Sequence, residues 1–156
     1  MTSASRPPER IAVGIDGSLC SHAAVRWAID HAQPGDTINL VHAWRASPSM
    51  VGTGLVDPTD DTAATGFAEH ELARARALPR DETITLCCEV VHGDAPDCLA
   101  YHPADVLVVG ARGHSGLTSL LLGSVSAHLA RHCPVPLVIV PCPGHRTAVT
   151  DVGAKP

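Results

Sequence analysis

The residues best placed to do chemistry lie in two glycine-containing stretches. The first is GIDGS, Gly14 to Ser18, which carries Asp16 between its glycines. The second is GARGHSGLTSLLLGS, Gly110 to Ser124, with four glycines and no lysine. Its spacing is Gly110-x2-Gly113-x9-Gly123-Ser124. Gly110 and Gly113 let the chain leave the preceding apolar run with positive φ, or with a ligand close against the backbone. Gly123 and Ser124 open a predicted helix whose first amides have no intrahelical partner. With the helix dipole they make an anion site suited to phosphate. Ser124 and Ser126 add hydroxyl donors. On spacing alone a second reading stays open, a glycine-rich surface loop before an ordinary capped helix.

These loops need elements to hold them. Five runs read as strands: RIAVGID at Arg10–Asp16, TINLVHAW at Thr37–Trp44, TLCCEVVH at Thr85–His92, DVLVVGA at Asp105–Ala111 and PLVIVP at Pro136–Pro141. The first, fourth and fifth are nearly continuous aliphatics, as in parallel strands covered on both faces. Helix signals alternate with them. Ser18 caps a predicted helix running to about Gln33, with Pro34-Gly35 as its stop. A second runs from Asp61 or Thr62 to Leu78 after a long Gly/Pro-rich loop. A third, near Ala95–Tyr101, is short. A fourth starts at Gly123-Ser124 and ends before Pro134. The β-α-β-α-β-α-β-α-β order predicts an α/β fold, an open parallel sheet with helices on both faces. Such sheets bind ligands beyond the carboxyl ends of their strands, where strand order reverses. If strands one and four are neighbours there, Asp16 and the glycine loop face each other across one crevice. The predicted organisation is a flexible N-terminus over 1–9, a single domain over 10–142 and a loose polar tail over 143–156.

Composition narrows the chemistry. The chain has 156 residues, 11 basic against 16 acidic, for a formal charge of −5. That speaks against a nucleic-acid surface, which needs a basic patch. The only lysine is Lys155 in the tail, so a phosphate-gripping loop lysine is excluded. The six cysteines, Cys20, Cys87, Cys88, Cys98, Cys133 and Cys142, form no C-x-x-C pair and are expected to be reduced core thiols. The ten histidines are scattered and read as dispersed surface residues rather than a metal site. The opening MTSASRPPER lacks the apolar core of a signal peptide, and no run reaches membrane-spanning length. A soluble cytoplasmic protein with no membrane partner is the expectation.

The pattern Gly-x2-Gly-x9-Gly-Ser resembles the ATP-binding signature of the universal stress protein family. IAVGIDGS with AAVRWAID is similar to that family's first strand and helix, INLVHAW to its second strand, and GSVSAHLARHCPVPLVIVP to its last helix and strand. The resemblance runs from about Arg10 to Pro141. It implies a Rossmann-like sheet of the adenine nucleotide alpha hydrolase-like type, in strand order 3-2-1-4-5. It also implies an adenine nucleotide, ATP or else ADP or AMP, with Mg²⁺ or Mn²⁺. Gly14, Ile15 and Asp16 would line the site, Asp16 near the ribose or near a metal bound to the phosphates. Val41 would meet adenine through its backbone. Gly110, Gly113, Gly123, Ser124, Val125 and Ser126 would surround ribose and phosphates, with Arg112 and His114 in the same loop. A homodimer through the last strand, Pro136 to Pro141, is implied as well.

One stretch departs from the family pattern. Only twelve residues, Gly93 to Ala104, join strands three and four, about one helical turn fewer than is usual. Part of one sheet face should then be less covered, which could expose an apolar patch for a partner. Three functions follow in order of support. The first is a nucleotide-linked regulatory module in stress response. The second is a slow ATPase or phosphotransferase, which the sequence serves poorly because nothing fixes Arg112 at a moving phosphoryl group. The third is a scaffold that binds no nucleotide.

Overall fold

The computed structural model describes residues 6–46, 51–54, 57, 59–113 and 122–143. Five strands, β1 (Arg10–Gly14), β2 (Thr37–Trp44), β3 (Thr85–His92), β4 (Val106–Gly110) and β5 (Leu137–Val140), form one sheet in the order β3-β2-β1-β4-β5. Every pairing is parallel. The helices are α1 (Leu19–His31), α2 (Thr62–Arg76), α3 (Ala95–Ala100) and α4 (Ser124–His132). The expected fold class and strand order are those observed. Boundaries differ by a few residues: β1 ends at Gly14, and α2 stops at Arg76 rather than Leu78.

The aliphatic runs are explained by two cores. Ile11, Val13, Ile38, Leu40 and Val108 face α1 and α2, packing with Ala24, Ala28, Ala68 and Leu72. Ala12, Val41, Leu107 and Val109 face the other way, onto Leu99 of α3 and Leu129 of α4. Strand side chains alternate, so a strand covered on both faces needs apolar residues at every position. Ser18 caps α1 as expected, accepting the Ser21 amide at 3.1 Å. Gly17 turns the chain into that cap with φ 78°, a left-handed backbone suited to glycine.

Asp36, at the entry to β2, is fully buried. It accepts two bonds from the Arg6 guanidinium at 3.1 and 2.7 Å, and the Glu9 and Gln33 amides at 2.8 Å each. Burial alone would push its carboxyl up, but the Arg6 bond, the two amides and the Arg6 charge outweigh this and hold it below the usual carboxylate range. Residues 6–9, expected within a flexible N-terminus, carry this clasp.

Two expectations are corrected. Cys20 and Cys142 are joined in a disulfide with Cα atoms 4.3 Å apart, while Cys87, Cys88, Cys98 and Cys133 are free. The start of α1 and the exit of β5 meet at the same end of the sheet, which brings these two together across 122 residues. The sheet face beside the short α3 carries polar side chains next to its apolar core. Glu89 is exposed on it, and the Asn39 amide donates to Glu89 Oε2 and to His102 Nε2, both at 3.1 Å. The His102 side chain is only 7% exposed, so the histidines are not all surface residues.

Candidate functional site

Strand order reverses between β1 and β4, which are adjacent, so their following loops open onto one crevice of about 310 Å³. The crevice is lined by Gly14, Ile15, Asp16, Val41, Gly110, Arg112, Gly113, Gly123, Ser124, Val125 and Ser126, together with Ser21, His42, Ala43, Ala95, Leu99 and Val109. Every expected site residue that the structure describes is in that set. His114 lies outside the described residues.

Asp16 stands at the centre. Its Oδ1 accepts the Ser18 amide at 2.9 Å, and its own amide donates to Ser21 Oγ at 3.3 Å. The Ser18 hydroxyl donates to the Arg112 carbonyl at 3.4 Å, tying the β1 loop to the glycine loop. The carboxylate is thus held by local bonds through Oδ1, with Oδ2 turned toward Gly113. Asp16 and Arg112 supply opposite charges to the same crevice.

The glycines are not explained by positive φ. Neither Gly110 nor Gly113 is among the described residues with positive φ. A Cβ on Gly110 would lie 2.6 Å from the Cys20 carbonyl carbon, and one on Gly113 would lie 2.5 Å from Asp16 Oδ2. These two glycines therefore let protein approach protein: Gly110 admits α1 and Gly113 admits Asp16. Gly123 is different. A Cβ there would meet only Arg112 Cα at 3.4 Å and neighbouring backbone at 3.6 Å.

Gly123 is the N-cap of α4, with no side-chain capping bond and no acidic residue in the first turn. The first amides of α4 therefore lack intrahelical acceptors, and Ser124, Val125 and Ser126 line the crevice. Gly123 itself donates to the Ala111 carbonyl at 2.7 Å. Ser126, expected to offer a hydroxyl to the site, is 2% exposed. Its hydroxyl lies 2.8 Å from the Ala111 carbonyl and 3.1 Å from the Gly123 carbonyl, so its proton is directed into the protein. Ser126 positions the helix start, and Ser124 remains the hydroxyl on the open side.

Val41 is fully buried, and its carbonyl already accepts the Ile15 amide at 2.9 Å. The next residues outward, His42 and Ala43, reach the crevice and were missed in the sequence. His42 Nδ1 lies 3.1 Å from the Ile15 carbonyl, which can only accept, so Nδ1 carries a proton. Val109 and Leu99 form the apolar end, with Ala95 from α3 beside them. These carry no chemical signature, and only the strand-end position of Val109, His42 and Ala43 could have flagged them. Among the described residues no group of three or more His, Cys, Asp or Glu is arranged to hold a metal ion.

A family model described as the universal stress protein family matches residues 8–141, and the chain belongs to that family. Universal stress protein Rv1996 of Mycobacterium tuberculosis is 27% identical over 171 aligned positions, covering 94% of this chain and 54% of that protein. The chain spans about half the length of the curated relatives it matches. A universal stress protein solved in complex with cAMP is similar at a TM-score of 0.58 and 26% identity, over 86% of this chain and 98% of that one. A family protein from Arabidopsis thaliana with AMP bound shares the fold at a TM-score of 0.56 and 17% identity, over 94% of this chain and 100% of its own. No helix among the described residues is long and apolar enough to cross a membrane.

Proposed function

We propose that this protein is a nucleotide-linked regulatory module in which the crevice between the β1 loop and the glycine loop holds an adenine nucleotide, ATP first among them. The observation that carries the reading is the start of α4, which has no side-chain cap and whose residues Ser124, Val125 and Ser126 line the same space as Asp16. Phosphates would take those amides, with Arg112 adding positive charge. The base would lie against Val109, Leu99 and Ala43, near the backbone of Val41. Asp16 would face the ribose or an ion on the phosphates. Asp16 is the only carboxylate lining the crevice among the described residues, so Mg²⁺ or Mn²⁺ would draw its other oxygens from phosphate and water. The similarity to a relative in complex with cAMP supports an adenine ligand.

The same reading makes the protein a cytoplasmic homodimer. β5 lies at the sheet edge, where among the described residues no strand pairs with its outer side, and an edge strand invites a second copy. Thermal unfolding with ATP, ADP, AMP and cAMP, each with and without Mg²⁺, tests the ligand class. A bound nucleotide at a hundred times its Kd adds about 2.7 kcal/mol of stability and raises the midpoint. No shift with any of the four would remove the reading.

A further inference from the structure

Cys20 sits between two things that matter to the crevice. On one side its backbone touches Gly110, so closely that a Cβ there would lie 2.6 Å from its carbonyl carbon. On the other it is bonded to Cys142, two residues past the end of β5. Its chain neighbour Ser21 lines the crevice and accepts the Asp16 amide. The Ser21 amide in turn donates to Ser18 Oγ, which reaches the Arg112 carbonyl. The end of β4 is also tied to β5, by the Ala111 amide on the Val140 carbonyl at 2.7 Å. The disulfide thus locks the chain leaving β5 onto the first turn of α1, and that turn supports both loops of the crevice.

We propose that Cys20 and Cys142 are a reversible thiol-oxidation site whose state sets the order of the crevice wall and, resting on the nucleotide reading, its affinity for nucleotide. The Cα atoms are 4.3 Å apart. In the reduced form the two sulfurs need full van der Waals separation in place of a bond. Cys20 is 2% exposed and fixed in a helix, whereas Cys142 is half-buried between the exposed Pro141 and Pro143. Reduction therefore moves Cys142 outward and releases the first turn of α1. The oxidant is a low-molecular-weight disulfide. The Cys142 thiolate attacks one of its sulfurs, forming a mixed disulfide and expelling one thiolate. The Cys20 thiolate then attacks the Cys142 sulfur and expels the second. Two protein thiols are oxidised, one small disulfide is reduced to two thiols, and the two protons pass to the leaving thiolates.

The test compares protein equilibrated with oxidised glutathione and protein kept in dithiothreitol. Peptide mapping without reduction should join Cys20 to Cys142 and leave Cys87, Cys88, Cys98 and Cys133 open to alkylation. The reduced form should exchange amide hydrogens faster over 18–21 and 110–113, and bind ATP about five-fold or more weakly. Cys142→Ser, which removes a half-buried sulfur, should match the reduced form under both conditions. Failure of the two cysteines to join, equal exchange in the two forms, or equal measurable affinity would each overturn the proposal. Absence of binding in both forms, with exchange still unequal, would sink the nucleotide reading and leave the redox control of the wall standing.

Discussion

Gly110→Ala and Gly123→Val separate a glycine pressed against α1 from one whose Cβ would meet protein only at ordinary contact distance. At Gly110 the added carbon would lie 2.6 Å from the Cys20 carbonyl carbon and 2.8 Å from its oxygen. Both atoms are backbone inside α1, so no rotamer relieves the contact and the helix must shift. Overpacking of this kind costs about 1–3 kcal/mol. At about 2–4 °C per kcal/mol for a chain of this size, the melting midpoint should fall by about 2–12 °C. At Gly123 the nearest atoms to a Cβ are at 3.4 and 3.6 Å, tight but bearable, and its backbone φ of −73° suits any residue. Gly123→Val should therefore change stability by less than about 1 kcal/mol. Its methyl groups crowd the amides proposed to take phosphate. Losing charge-assisted bonds worth about 1.5–3 kcal/mol weakens ATP binding by about 10- to 100-fold. Urea unfolding followed by circular dichroism gives the stabilities, and titration calorimetry gives the affinities. A Gly110→Ala protein as stable as wild type, or a folded Gly123→Val protein with undiminished affinity, would refute the division.

Three further predictions follow from the fold. Asp36→Ala strands the Glu9 and Gln33 amides and a buried end of Arg6, and should cost about 3–5 kcal/mol in urea unfolding at neutral pH. Because the folded carboxyl titrates below its unfolded value, its contribution is complete above about pH 4 and is lost as pH falls through the folded value, so the gap to wild type should narrow in acid; a constant gap down to pH values well below that range contradicts the clasp. Ser18→Ala removes the cap of α1 and the bond to the Arg112 carbonyl, and should cost about 0.5–2 kcal/mol by the same assay. The carbonyls of Pro136 and Val140 point at β4, so alternation turns the Leu137 and Ile139 amides toward the open edge. Ile139→Pro removes one such donor at a position where an edge strand tolerates proline, and should shift the sedimentation equilibrium toward monomer.

The sheet was legible because covered parallel strands need apolar residues on both faces, and IAVG and VLVVG have nothing else. The crevice was legible because Asp16 and the glycine spacing both follow such strands. What the spacing does not distinguish is what a glycine is close to. Gly110 and Gly123 look alike in the chain, yet one touches a helix and the other opens a helix. The role of Ser126 likewise turns on which way its hydroxyl is directed, toward the Ala111 carbonyl rather than the crevice. The disulfide left no sequence signal, because its cysteines are 122 residues apart and meet only when α1 and β5 share one end of the sheet. Asp36 reads as a turn residue after Pro34-Gly35, and only the folded chain brings Arg6 onto it. His42 and Ala43 carry no signal of their own, because the family pattern marks only Val41, one residue earlier.

The central claim is that the start of α4 and Asp16 hold the nucleotide between them. Titration calorimetry of nucleotide-stripped, oxidised protein with ATP and Mg²⁺ tests it most directly, with Gly123→Val beside wild type. The account predicts one-site binding by wild type and a loss of about 10-fold or more in the variant, with both proteins folded. Folded wild-type protein that gives no heat or displacement signal with ATP, ADP, AMP or cAMP would contradict it.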